Sequence, residues 1–126
     1  MEDKTNPAIY FEIPVTDIKR AMAFYKRVFG FDFELEEIHG NQMALMPFDI
    51  NGSGISGALA LGEIYKPSQQ GSLVYLRSES IDKTLERAQL VGAKVLFQKT
   101  KAGEYPYVAE IEDSEGYLIG LMEPLP

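Results

Sequence analysis

The chain opens on a segment, Ile9 to Asp17, in which apolar and polar side chains alternate as in a half-buried strand. Successive strand residues point to opposite sides, which gives one row of Phe11, Ile13 and Val15 and another of Tyr10, Glu12 and Pro14. Thr16 or Asp17 then offers a side-chain oxygen to the first N–H groups of a helix. We expect the first row to pack on that helix, so the second row must meet either solvent or a cavity.

An amphipathic helix is predicted next, because apolar residues recur at three- and four-residue spacing from Ile18 to Phe29 while Lys and Arg fill the opposite side. Gly30 is expected to end this helix in the left-handed conformation. Phe31 to Glu37 alternates as a half-buried strand, and two more strands are predicted over 42–47 and 55–61. The turn between the first two is His39-Gly40-Asn41, and the Gly-rich run 49–54 joins the last two.

The same order of elements recurs in the second half of the chain. A strand over 73–78 precedes a helix that Ser80 caps and Gly92 ends, with inward positions at Ile81, Leu85, Ala88 and Val91. Strands over 94–98, 107–112 and 117–122 follow, the last two forming a hairpin. We therefore predict one domain over residues 1–126 of the α+β class. Two βαβββ modules, about 10–61 and 73–122, form a cup-shaped mixed sheet with the helices on its outer face.

Composition narrows the class of protein. The 126 residues include no Cys, which excludes thiol catalysis, disulfides and thiolate metal sites and fits a cytoplasmic location. Twelve Lys and Arg against nineteen Asp and Glu give a net charge of −7, which disfavours nucleic acid as a partner. No apolar run approaches the roughly 20 residues of a membrane span, and the N-terminus lacks a signal-peptide pattern, so no membrane association is expected.

Several short motifs occur in an order typical of one known family. They are Ile13-Pro14-Val15-Thr16-Asp17, Ala21-Met22-Ala23-Phe24-Tyr25, Val28-Phe29-Gly30-Phe31, Ser80-Ile81-Asp82, Gly92-Ala93-Lys94-Val95 and the run from Glu112 to Leu121. From Ile9 to Pro124 the chain resembles the vicinal oxygen chelate superfamily. That superfamily includes glyoxalase I, extradiol dioxygenases, fosfomycin resistance enzymes and bleomycin-binding resistance proteins. Members of this size commonly form homodimers, which the resemblance implies here.

The resemblance also implies where a metal ion would bind, because metal-using members supply up to four ligands from facing strands. Those positions fall on Tyr10, Leu73, Gly120 and a residue near Ala58. Leu, Gly and Ala carry no donor atom, and a single phenol is a poor substitute for imidazole or carboxylate. We therefore expect the cup of the family without its metal, and no cofactor.

Glu12 is the first candidate for chemistry, because it shares the cup-facing parity of Tyr10. A carboxylate in a partly apolar cavity acts as a base or holds a cationic group. The alternative is a carboxylate at the rim that meets water or pairs with Arg77, which shares a strand face with Tyr75. Glu110 and Glu112 lie on one face of a later strand, and one of them is expected to point inward. Their spacing does not specify a Mg²⁺ or Ca²⁺ site.

Met46 and Met122 are candidates for an adaptable apolar lining together with Tyr10 and Tyr75, although ordinary core packing is the competing interpretation for Met43 and Met46. The single histidine, His39, is interpreted as an exposed turn residue. The predicted ligand-binding set is Tyr10, Glu12, Met46, Tyr75, Arg77, Glu110 and Met122.

The leading hypothesis is a metal-independent protein that binds a small organic molecule. The alternatives are a metal-dependent lyase or isomerase of the glyoxalase type, a metal-free acid–base enzyme that uses Glu12, and a purely structural dimer module. A glyoxalase-type site needs ligands that one His and no Cys do not supply at the expected positions. A structural module predicts a filled cup.

Overall fold

The structure is a computed structural model that describes residues 4–103 and 106–124. Within these residues the chain forms eight strands and two helices. They are β1 (Phe11–Val15), α1 (Ile18–Phe29), β2 (Glu34–Ile38), β3 (Asn41–Leu45), β4 (Gly57–Leu61), β5 (Val74–Arg77), α2 (Ile81–Leu90), β6 (Val95–Lys101), β7 (Tyr107–Glu112) and β8 (Leu118–Met122). Neither described helix is long and apolar enough to cross a lipid bilayer.

The strands form two four-stranded sheets of the same topology. Sheet A has the order β1-β4-β3-β2, and sheet B has the order β5-β8-β7-β6. In each sheet the first pair is parallel and the other pairs are antiparallel. Helix α1 packs on β3 and β4, and α2 packs on β6 and β7. The predicted fold class, α+β with two βαβββ modules, is confirmed. We call the helix-covered face of each sheet the outer face and the opposite one the inner face.

Both helices begin where the sequence predicts, and α1 also ends at the predicted Gly30, whereas α2 ends at Leu90 with Val91 as its cap, before the predicted Gly92. The Asp17 carboxylate accepts the Arg20 N–H at 3.0 Å, and the Ser80 hydroxyl accepts the Lys83 N–H at 3.3 Å, so each satisfies a free donor of the first turn. Gly30 ends α1 with φ of 79°, a left-handed conformation that costs a glycine little.

The outer faces and both helices share one hydrophobic core. Ile13 and Val15 of β1 are fully buried in it, as the alternation predicts, and Ile119 and Leu121 of β8 make the equivalent contribution from sheet B. Met46 belongs to this core with 6% of its surface exposed. The interpretation of Met46 as core is therefore correct, although it also borders the cavity described below.

Several predicted strand bounds differ from the structure by one or two residues, and three local predictions differ by more. The second strand begins at Glu34 rather than at Phe31, and its side chains are all exposed rather than half-buried. Phe31 precedes it and stacks on Phe29, with ring centroids 5.3 Å apart, because the aromatic packing of α1 holds this segment out of the sheet. Val91 is not an inward helix position but the residue at the C-terminal end of α2, and it is 39% exposed. Strand β6 runs to Lys101, beyond the predicted 94–98.

The β7–β8 turn joins the second module to the start of α1. Glu115 there has no exposed side-chain surface, and its carboxylate accepts the Thr16 and Asp17 N–H groups, each at 2.9 Å, and the Arg20 Nε–H at 2.7 Å. Burial raises the pKa of Glu115, but the hydrogen bonds from Arg20 and from the two amides outweigh it and lower that pKa to about 2. The carboxylate therefore stays charged and holds the two modules in one arrangement.

Candidate functional site

Glu12 lies on the inner face of sheet A between two tyrosines. Its carboxylate accepts the Tyr10 hydroxyl at 3.0 Å on Oε2 and the Tyr65 hydroxyl at 2.9 Å on Oε1. Tyr10 comes just before β1 with the same parity as Glu12, whereas Tyr65 arrives from the segment after β4. Each carboxylate oxygen therefore already has a donor within the chain.

The two tyrosines are held in their neutral form by this arrangement. Burial, the hydrogen bond to Glu12 and the charge of Glu12 raise the pKa of Tyr10 to about 12. The hydrogen bond to Glu12, with burial and the same charge, also raises the pKa of Tyr65. At neutral pH both hydroxyls are therefore donors to Glu12 and retain lone pairs that can accept from a ligand.

Beneath Tyr65, the inner face of sheet A is built from small and flexible side chains. Ala58, directly opposite Glu12 in β4, and Ala60 are fully buried, and Met43 is 1% exposed beside them. The interpretation of Met43 as core is therefore confirmed, although Met43 belongs to a smaller cluster on the inner face and not to the main core. Paired strand positions share a face, and Met43 pairs with Ala60 rather than with an outer-face residue.

Tyr75 dominates the inner face of sheet B. Its ring lies over Gly120, its direct partner in β8, and a β-carbon on Gly120 would clash with that ring. The Tyr75 hydroxyl donates to Glu110 at 3.5 Å, and burial followed by the nearby Glu110 charge raises the pKa of Tyr75. The absence of a side chain at position 120 is what allows a 41% exposed phenol to lie flat on this face.

Arg77 and Glu12 do not form the ion pair that the sequence leaves open as one alternative. Glu12 is engaged by the two tyrosines, whereas Arg77 Nη2 donates to the Ser53 hydroxyl at 3.0 Å in the Gly-rich segment between β3 and β4. Glu110 and Glu112 both lie on the inner face of β7, because Ala109 and Ile111 occupy the core side. Glu112 accepts the Gln69 side-chain amide at 3.0 Å.

A cavity with a volume of about 1240 Å³ lies where the two modules meet. It is bordered by the start of β1, the Gly-rich segment, the end of β5 with the first turns of α2, and the end of β8. Five residues of the predicted ligand-binding set line it: Tyr10, Met46, Tyr75, Arg77 and Met122. Glu12 and Glu110 are not among its lining residues, although each is bonded to a tyrosine that is.

Sequence reasoning missed several residues of this cavity wall. Lys83 and Arg87, four residues apart on α2, line the cavity with Thr84 between them. In the helical pattern they read as an ordinary solvated face, and no motif marks them. Tyr65, which covers Glu12, was missed because it lies in a segment without periodicity and meets Glu12 across 53 residues of chain.

The family assignment rests on a match along almost the whole fold. A family model described as the Glyoxalase/Bleomycin resistance protein/Dioxygenase superfamily matches residues 8–121. The chain belongs to this superfamily. A search of curated protein sequences returned no match.

Solved structures of the superfamily share the fold at low sequence identity. TnmS3, an antibiotic-binding protein from a Streptomyces species, is 24% identical, with a TM-score of 0.68 over 98% of this chain and 99% of that one. A glyoxalase/bleomycin resistance protein/dioxygenase family enzyme from Burkholderia phytofirmans is 20% identical, with a TM-score of 0.70 over 92% and 97%. A glyoxalase I mutant from Zea mays is 18% identical, with a TM-score of 0.69 over 93% of this chain and 46% of that one.

The residues of this chain do not fit the metal ion that the resemblance associates with some superfamily members. Ala58 and Gly120 occupy equivalent places, opposite Glu12 and Tyr75 respectively, and neither carries a donor atom. The Tyr75 ring also fills the space that a side chain at Gly120 would need. Over residues 4–103 and 106–124, no group of three or more His, Asp or Glu side chains is arranged to hold a metal ion.

Proposed function

We propose that this superfamily member binds a small organic molecule, without a metal, in the cavity where its two modules meet. The observation that carries the proposal is the cavity itself, about 1240 Å³ in volume and lined by Tyr10, Tyr75, Arg77 and Met122. Two tyrosine rings and a methionine offer apolar contact, and the tyrosine hydroxyls and the guanidinium offer directional hydrogen bonds. A large open cavity also argues against a purely structural dimer module, which would fill it.

A glyoxalase-type lyase or isomerase is the second candidate, because glyoxalase I structures share the fold. Such chemistry uses a metal as Lewis acid, and the donor set at Ala58 and Gly120 does not supply its ligands. The binding function therefore agrees better with the residues present.

An acid–base enzyme that uses Glu12 is the third candidate. Against it, both oxygens of Glu12 are held by Tyr10 and Tyr65, and Glu12 does not line the cavity. A general base needs an oxygen within hydrogen-bond reach of the substrate proton. A Glu12→Gln variant that binds ligands as the parent does would remove Glu12 from the site, and Tyr65→Phe is the matched control for loss of one hydrogen bond.

We further propose that the protein is a homodimer in the cytoplasm. The inner faces carry large apolar side chains that one chain leaves uncovered: Phe97 is 63% exposed and Tyr10 is 49% exposed. A second copy would remove such surface from water. Light scattering after size-exclusion chromatography tests this, and a mass of one chain at all concentrations would contradict it. The absence of cysteine fits a reducing compartment.

A thermal-shift screen against metabolites and planar drugs, in the presence of a chelator, tests the binding function. We expect at least one compound to raise the melting temperature, because a ligand that binds only the folded state stabilises it. The rise should be lost in Tyr75→Ala, which removes a cavity wall, and kept in Lys19→Gln, an exposed change outside the cavity. Shifts that are equal in both variants would place the binding elsewhere.

A further inference from the structure

We infer that the ligand of the module-junction cavity carries an anionic group, a carboxylate or a phosphate, on an apolar body. Arg77, Lys83 and Arg87 would hold that group. The inference rests on the proposed function, because it names the chemical class of the ligand for the same cavity.

The three cations form one wall of the cavity. Arg77 ends β5, and Lys83 and Arg87 follow on one side of α2. This clustering stands out in a chain whose net charge is −7, since acidic residues are abundant enough to neutralise every cation. A cavity wall with unneutralised positive charge attracts and orients an anion.

The hydrogen-bond partners of these cations are neutral. Arg77 donates to the Ser53 hydroxyl at 3.0 Å, and Arg87 donates through Nε to the Val28 carbonyl at 2.9 Å and through Nη2 to the Thr84 hydroxyl at 3.3 Å. Within the described part of the chain, none of the three lies within 4.0 Å of a carboxylate oxygen. By contrast, Arg20 and Lys99 form such ion pairs. Guanidinium and ammonium groups without a carboxylate have donors available for an incoming anion.

Two acids also line the cavity, and one of them is already engaged. Glu123 accepts the Ile81 N–H at 3.0 Å, and its carboxylate lies 3.8 Å from Lys99 Nζ. Glu79 is the other acid. The cavity lining therefore carries three cationic side chains, Arg77, Lys83 and Arg87, against two acidic ones.

The rest of the cavity suits the apolar body of the ligand. Phe29 and Phe31, which stack on each other, line it together with Met46, Val74 and Tyr75. An aromatic acid or an aryl phosphate would therefore find an apolar surface and a cationic wall in one cavity.

Three matched probes test the inference by isothermal titration in a chelator-containing buffer at low salt. They are 2-naphthoate, 1-naphthyl phosphate and the neutral 2-naphthamide, which keeps the aromatic body without the charge. We expect at least one anion to bind roughly ten- to a hundredfold more tightly than the amide, as charge-assisted hydrogen bonds do. Added salt should reduce the difference. The naphthoate and phosphate results distinguish the two kinds of anion.

Single variants test whether the preference for anions over the neutral amide depends on the cationic residues of the cavity wall. Arg77→Gln and Lys83→Gln should each reduce the anion preference, whereas Lys19→Gln removes one charge outside the cavity and should leave it unchanged. A preference that survives both cavity variants would overturn the assignment of these residues. The exposed Lys83 keeps the test valid if Arg77→Gln does not fold.

The remaining outcomes separate this inference from the proposed function. Amide binding as tight as anion binding would overturn the anionic class and leave small-molecule binding intact. Binding that appears only after Zn²⁺ is added would contradict the metal-independent function. No binding of any probe would overturn the anionic class for this cavity, while the wider compound screen decides the function.

Discussion

The ring of Tyr75 lies flat over Gly120, its neighbour across the parallel β5–β8 pair. This contact bears both on the cavity and on the lack of a metal site. It places a phenol at the wall of the cavity, and it occupies the position from which metal-using relatives are expected to extend a ligand. The same glycine therefore favours an aromatic binding surface and excludes a side-chain donor.

Gly120→Ala should destabilise the protein by about 1–3 kcal/mol, because the new methyl group forces the Tyr75 ring to move. Urea denaturation measures the change in the free energy of unfolding. In a Tyr75→Ala background the same substitution should cost much less, since the obstructing ring is gone. Equal costs in both backgrounds would show that the two residues are not coupled.

Glu115→Gln should weaken the junction between the modules by about 2 kcal/mol, because the buried carboxylate loses its charge opposite Arg20 and two amide donors. The midpoint of chemical denaturation measures the effect. Lys26→Gln is the matched control: it breaks the Lys26–Asp32 pair, whose side chains are both largely exposed, and should change the midpoint little. An equal loss in both variants would contradict a special role for Glu115.

The stability of the fold should fall in acid partly through Glu115. Its pKa is lowered to about 2 in the folded state, so its contribution is complete above about pH 5 and is lost as the pH falls from 4.5 towards 2. The full pKa shift corresponds to a contribution of about 3 kcal/mol to the free energy of unfolding. Solvent screening at the half-exposed Arg20 reduces the expected contribution to about 1–2 kcal/mol. Denaturation curves measured at several pH values between 7 and 2 give the free energy of unfolding at each pH. That free energy should fall less steeply with decreasing pH in Glu115→Gln than in the parent protein.

Tyr25→Phe should cost about 1–3 kcal/mol at pH 7, since it removes the 2.7 Å hydrogen bond to the buried Asp113 carboxylate. Burial raises the pKa of Asp113, while the bonds from Tyr25 and two backbone amides lower it. Removing the Tyr25 hydroxyl raises that pKa further, because the charged carboxylate of Asp113 loses a hydrogen-bond donor. The substitution therefore destabilises the protein most where Asp113 is charged. The loss should shrink as the pH falls and Asp113 is protonated. Tyr117→Phe, which removes a longer bond to the Ser72 carbonyl, is the control.

The helices and strands could be predicted where capping residues or regular alternation of apolar and polar residues mark them. Asp17, Ser80 and Gly30 mark the helix ends through capping interactions that span only three or four residues. Strand β7 matches its predicted bounds, because the alternation of Ala109 and Ile111 with glutamates is regular. These signals depend on neighbouring residues, which the sequence displays directly.

The site could be predicted only in part, because its geometry depends on contacts between distant segments. Strand parity correctly placed Tyr75 and Arg77 on one inner face, and Tyr10 and Glu12 on the other. Tyr65 donates to Glu12 from 53 residues away in the chain, and Arg77 donates to Ser53 from 24 residues away. No periodicity or motif reports such pairs, so the sequence left open whether Glu12 pairs with Arg77, and in the structure the two residues have other partners.

The most direct test of the central claim is an isothermal titration of the best compound from the thermal-shift screen, with protein dialysed against a chelator and with the same protein given Zn²⁺ or Ni²⁺. Plasma mass spectrometry of the dialysed sample confirms its metal content. A metal-independent binding protein should bind with the same dissociation constant in both samples. Stoichiometric metal that survives dialysis, or binding that requires added metal, would contradict the account.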